Sequence, residues 1–87
     1  MDSAICSELV SIVTVCTVRM IAPSDGGDFI KVHGLDLFDL SEIVVAIEEK
    51  FGFDIPDSDL ASISSMHRTV RYVEERMAEI RSWIRSE

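Results

Sequence analysis

Few side chains in this 87-residue chain are equipped to do chemistry: two histidines, two cysteines, a scatter of serines and sixteen acids. His33 and His67 stand apart from any carboxylate–nucleophile constellation, so neither reads as a general base or a ligand. Cys6 and Cys16 would lie about 15 Å apart on one helix, at about 1.5 Å rise per residue, which is too far for a disulfide. With no C-x-x-C spacing and no neighbouring histidine pair, no metal site is expected, and the thiols read as small buried residues. Ser24 and Ser58 fall in turn and cap contexts. No nucleophile–base pair or metal set emerges, so the chain does not read as an enzyme. The acids are more informative. Asp36, Asp39, Glu42, Glu48 and Glu49 crowd one short segment, and that pattern is either a solvated helix face or a surface for cations.

The overall charge agrees with the second use. Sixteen acids against eight bases give a net charge of −8 and a pI near 4.6. Such a balance repels phosphate backbones, argues against nucleic acid and favours a basic protein partner. Residues 1–65 hold three bases and twelve acids, whereas residues 66–87 hold five arginines and four acids. A hydrophobic fraction of 47% and a mean hydropathy of +0.22 exclude a disordered tail. The length predicts a single domain over residues 1–87, with no room for a deep enclosed cleft. Residues 5–21 are fairly apolar, but Glu8 and Arg19 interrupt them, so no membrane span is expected. No basic stretch precedes them and no A-x-A site follows, so a cytoplasmic monomer without a leader is the expectation.

Several elements could position the acids. Ile5, Leu9, Ile12, Val13 and Cys16 share one helical face over residues 2–16. Residues 12–18 also alternate like a strand, but no second strand pattern exists to pair with them, which favours helix. Pro23, Ser24, Asp25, Gly26 and Gly27 mark a long turn, pinned by Phe29 and Ile30, and Gly34 allows a close approach to the next helix. That helix runs over residues 36–51, with Asp36 as N-cap, Asp39 in its first turn, and Leu40, Ile43, Val44, Ile47 and Phe51 as its buried stripe. Gly52 ends it. Asp57 or Ser58 caps a short third helix through Leu60 and Ile63. Ser64 or Ser65 caps a fourth, where Met66, Val70, Val73, Met77, Ile80 and Ile84 keep helical spacing. The fourth helix can form pairs such as Arg71–Glu75, and Trp83 is expected against the first helix. The fold class is therefore all-α, a four-helix bundle.

Residues 34–57, G-L-D-L-F-D-L-S-E-I-V-V-A-I-E-E-K-F-G-F-D-I-P-D, carry a resemblance. They resemble the acyl carrier protein signature, G-x-D-S-L-D-x-x-E-(aliphatic)-x-x-A-(aliphatic)-E-E-x-F followed by an acidic-I-P. Gly34, Asp36, Asp39, Glu42, Ala46, Glu48, Glu49, Phe51, Ile55 and Pro56 fall in register. Ile21-Ala22-Pro23 and Phe29 upstream, and Ile63-Ser64-Ser65 with Val70, Tyr72 and Val73 downstream, extend the similarity over nearly the whole chain.

The resemblance implies a bundle of three longer helices and a short third one. It also implies 4′-phosphopantetheine on a serine after the first aspartate of D-S-L. Here Leu37 stands at that position, whether native or substituted, so no cofactor is expected on the chain as written. Ser41, one turn further on, is the fallback hydroxyl. The family presents its helix-2 acids to basic patches of biosynthetic or ligase enzymes. The implied partner-binding residues are thus Asp36, Leu37, Phe38, Asp39, Glu42, Val45, Glu48 and Glu49. Leu35, Leu37 and Phe38 either plug the mouth through which the family admits an acyl chain into the bundle core, or form an apolar patch ringed by acids. The function expected is docking without cargo. The alternatives are a working carrier whose serine has been replaced, and a diverged adaptor or regulatory subunit.

Overall fold

The computed structural model describes residues 3–85, with the side chains of Ser3, Ile84 and Arg85 outside that description. Among the described residues the chain forms four helices and no strand: α1 (Ser3–Thr17), α2 (Leu37–Phe51), a 3-10 helix η1 (Asp57–Ile63) and α3 (Met66–Arg85). The expected start of the first helix at Asp2 falls outside the described residues, as does the side chain of Ile84, the last position of the fourth stripe.

The ambiguous run at residues 12–18 is helical through Thr17. Its two threonines turn their hydroxyls back onto the helix. Thr14 Oγ1 donates to Val10 O and Thr17 Oγ1 to Val13 O, each at 2.7 Å, so both hydroxyls are satisfied within the helix. Ile5, Leu9 and Val13 are buried, and Cys6, Ile12 and Cys16 pack half-buried beside the core. The helix ends on Val18, whose φ of 59° is left-handed. For a branched side chain this costs about 1–2 kcal/mol.

The long connection is held to the start of α3 by backbone bonds: Phe29 N–H to Ser64 O at 2.8 Å and His67 N–H to Asp25 O at 3.0 Å. Phe29 is fully buried and, with Ile21, is the pin that fixes the loop. Ile30, expected as a second pin, is exposed. The turn opened by Asp28, whose carboxylate accepts from the N–H groups of Ile30 and Lys31, directs that side chain outward. Gly34 is needed for its φ of 71° and not for close approach, since an added Cβ would meet nothing within 4 Å.

Helices α1 and α2 run antiparallel. Lys50 near the end of α2 pairs with Glu8 near the start of α1 at 3.3 Å, while Cys16 near the end of α1 feels the charges of Asp39 and Glu42 near the start of α2. Ile43 and Ile47 seat α2 in the core. The extended residues that follow bury Phe53 and Ile55. The short helix is 3-10, and its N-cap is Pro56, with no side-chain cap bond; neither Asp57 nor Ser58 caps it. Proline's fixed φ leads the chain into the turn without a capping side chain. Ser65 does cap α3, accepting from Arg68 N–H at 3.2 Å. Met66, Val70 and Val73 are its buried stripe, with Met77 and Ile80 packed alongside. Trp83, expected to pack on α1, is 70% exposed. Among the described residues Arg76 of α3 forms ion pairs, reaching Asp59 at 3.9 Å and Glu79 at 4.0 Å.

Candidate functional site

The first turn of α2 is built by two aspartates. Asp36 Oδ1 accepts from Asp39 N–H at 2.9 Å, and Asp39 Oδ2 accepts from Asp36 N–H at 3.1 Å, closing a reciprocal capping box. At the other end Gly52 adopts φ 76° and donates to Glu48 O at 2.9 Å. Both ends of α2 are therefore fixed, and its outward residues have defined directions.

Those outward residues divide into two strips. Phe38, Ser41, Glu42, Val45 and Glu49 are exposed, and Glu42, Val45 and Glu49 flank a shallow shelf with Ala46. Leu37, Leu40 and Val44 face a cleft whose opposite wall is Leu60 and Ile63 of η1. Ser41 and Asp57 are the polar residues of that cleft. Leu35 is buried, whereas Leu37 is 71% and Phe38 81% exposed. Of the two expectations for these three residues, the exposed patch is therefore the one found for Leu37 and Phe38. Leu37 extends the cleft's apolar lining toward solvent and does not seal it.

The five acids are not equivalent. Glu42 and Glu49 are exposed along the helix, and Asp36 is exposed at its N-cap. Asp39 is half-buried and committed to the cap. Glu48 is half-buried as well, and its Oε2 accepts from Ile55 N–H at 2.8 Å, bracing the end of α2 against the segment that leads to η1. Burial, and then the carboxylates of Glu42 and Asp39, push the Cys16 thiol above its usual value.

A second cluster was not anticipated from the sequence. Tyr72 Oη donates to Asp59 Oδ2 at 2.7 Å and accepts from Arg76 Nη1 at 3.1 Å, and the Arg76 guanidinium lies 4.8 Å from the Phe53 ring centroid. This network ties η1, one wall of the cleft, to α3. Burial, followed by the bond to the Asp59 carboxylate, pushes the Tyr72 hydroxyl above its usual value. The one available signal was an aspartate in a short helix and an arginine one turn after a tyrosine, which specifies no contact. His33, expected to be solitary, lies 3.2 Å from Asp25, whose carboxylate also accepts from Gly27 N–H. That N–H, and then His33, hold the Asp25 carboxyl below its usual value. This pair organises the loop.

Among the described residues no group of three or more His, Cys, Asp or Glu could hold a metal ion, and no helix is long and apolar enough to cross a membrane. The attachment chemistry of 4′-phosphopantetheine needs a hydroxyl beside a helix N-terminus. Leu37, the first residue of α2, ends in methyl groups and has no oxygen to form a phosphodiester. The Ser41 hydroxyl is one turn inside the helix, beyond the free N–H groups of its first turn. The side chains present at the head of α2 do not fit the group.

A family model described as "Phosphopantetheine attachment site" matches residues 8–73. The acyl carrier protein of Helicobacter acinonychis (strain Sheeba) is 40% identical over 48 residues, which cover 55% of this chain and 62% of that protein. The acyl carrier protein AcpP of Rhizobium meliloti (strain 1021) is 40% identical over 55 residues, covering 63% of this chain and 70% of that protein. The chain thus spans just over three-fifths of the length of the Helicobacter relative. With a capped acidic second helix, a short third helix and a family match over most of its residues, the chain belongs to the acyl carrier protein family.

Proposed function

We propose that this protein docks the outward face of α2 onto a basic surface of a biosynthetic or ligase enzyme, without a pantetheine arm of its own and without catalysis. The observation that carries this reading is the combination at the head of α2. A rigidly capped helix presents Glu42, Glu49 and Asp36 around exposed Leu37, Phe38 and Val45, and the position that the family resemblance assigns to the arm is a hydrocarbon. Acids around an apolar centre suit a partner with arginine or lysine around an apolar patch, the charges steering encounter and the apolar contact holding the complex. Glu42 and Glu49 are the acids free to meet a partner. Asp39 and Glu48 contribute by holding the helix that carries them.

Two measurements test the two halves. Intact mass after incubation with coenzyme A and a broad-specificity phosphopantetheinyl transferase is expected to stay unchanged, and to rise once Leu37→Ser restores a hydroxyl. A mass gain by the unaltered chain would overturn the cargo-free half. Affinity capture with Glu42→Lys and Glu49→Lys is expected to lose the partners held by the native protein; retention of all of them would overturn the docking half. A second reading, a carrier whose serine has been replaced by Leu37, has the intact capping box in its favour, since that cap keeps the helix terminus an anion would need.

A further inference from the structure

We propose that a recess between the end of η1 and the first turns of α3 binds the phosphate of a small phosphate monoester. The recess holds about 350 Å³ and is lined by Ser62 of η1 and by His67, Arg68, Arg71, Tyr72 and Glu75 of α3. The short helix therefore borders two sites of opposite character. Leu60 and Ile63 line the apolar cleft shared with α2, and Ser62 lines the cationic recess shared with α3. The proposal is independent of the docking reading of α2.

Residues 67, 68, 71, 72 and 75 are linked by i, i+3 and i, i+4 spacings, so they share one face of α3. That face gathers two guanidiniums and an imidazole in a chain of net charge −8. Glu75 is the one carboxylate in the lining. Asp28 also feels the charge of Arg68, but its Oδ1 already accepts from the N–H groups of Ile30 and Lys31.

The main chain at this helix start is occupied too. His67 N–H donates to Asp25 O at 3.0 Å, and Arg68 N–H donates to Ser65 Oγ at 3.2 Å. Recognition therefore falls to the side chains, on a first turn held still by these bonds, and the positive end of the helix dipole adds to their field. Tyr72 is buried with its hydroxyl engaged by Asp59 and Arg76, so it shapes the recess and is not a donor to the ligand. The donors are Arg68, Arg71, a ring N–H of His67 and the Ser62 hydroxyl.

Two features select a phosphate monoester. A carboxylate has two oxygens, which one guanidinium satisfies, whereas a phosphate dianion has three and accepts from several directions at once. Glu75, one turn beyond Arg71, repels a second phosphate and accepts from a hydroxyl on the organic remainder.

The test is a titration of the full, nitrogen-15-labelled chain followed by amide chemical shifts. The probes are glycerol 3-phosphate, acetate at matched ionic strength, and a hexaglutamate peptide. Glycerol 3-phosphate is expected to give saturable shifts at residues 62, 67, 68 and 71. Its affinity is expected to fall about tenfold or more in Arg68→Gln/Arg71→Gln, both exposed positions, with the remaining spectrum unchanged. Glu75→Gln is expected to tighten it about threefold by removing the opposing charge. Acetate producing the same shifts with equal affinity overturns the proposal, because it reveals only ionic screening. Hexaglutamate binding more tightly and displacing glycerol 3-phosphate also overturns it, by showing a surface for acidic protein. So does an affinity indifferent to the arginine changes, or one that Glu75→Gln fails to raise.

Discussion

Helix α2 and the junction of η1 with α3 are held together in opposite ways. In α2 the two ends are closed locally: Asp36 and Asp39 cap its start and Gly52 closes its end. At the junction the fixing contacts come from three separate stretches of chain. Asp59 lies in η1, Tyr72 and Arg76 in α3, and Phe53 in the extended segment between α2 and η1. Local capping fixes the ends of the helix without drawing on its outward residues Glu42, Val45 and Glu49. Distributed fixing uses polar side chains to lock one element against another. One wall of the cleft is therefore a locally capped helix, and the other is a 3-10 turn tied to α3 by a hydrogen-bonded clamp.

The clamp is where the contrast can be broken hardest. Tyr72→Phe removes the hydroxyl between Asp59 and Arg76 and leaves both half-buried charges short of a partner, a loss of about 1–3 kcal/mol. Urea unfolding measures this, and hydrogen exchange is expected to rise first in residues 57–63. The same tyrosine gives a pH signature. Its hydroxyl is held above the ordinary value of 10, so the neutral form is favoured in the folded state. The stability it contributes is fully present below the unfolded-state value and is lost as pH rises through the folded-state value. Because Tyr72 is the one tyrosine in the chain, absorbance of tyrosinate reports that titration directly. Alkaline destabilisation in this range is expected to weaken in Tyr72→Phe.

A smaller effect is expected at the cap. Asp36→Ala leaves the Asp39 N–H without its acceptor and costs about 1 kcal/mol, confined to fraying at the head of α2. A loss as large as that of Tyr72→Phe would show that α2 is less self-contained than its caps imply. The smallest effect belongs to Phe38→Ser, at an exposed position, with stability by urea unfolding altered by no more than about 0.5 kcal/mol. Loss of folding there would mean that the head of α2 is part of the core.

The same contrast separates what could be read from the amino acids and what could not. The cap, stripe and stop of α2 are encoded within one short window, so Asp36, Ile43, Ile47 and Gly52 were legible, and the motif around them pointed to the family. The clamp pairs residues thirteen apart in the chain, and nothing in the identity of Asp59 or Tyr72 specifies the other. Phe29 and Ile30 are adjacent and both apolar, and only the turn around Asp28 decides which of them faces the core. Glu48 belongs to the acidic pattern by type, yet its carboxylate is used on the Ile55 backbone, a tertiary contact that no helical spacing reveals.

The thiol of Cys16 follows from this arrangement. Because burial and the carboxylates of Glu42 and Asp39 disfavour its ionised form, it remains a protonated, sluggish nucleophile. Cations arriving at Glu42 would relax part of that suppression, so the alkylation rate of Cys16, resolved from that of Cys6 by peptide mapping, gauges whether the neighbouring carboxylates are neutralised.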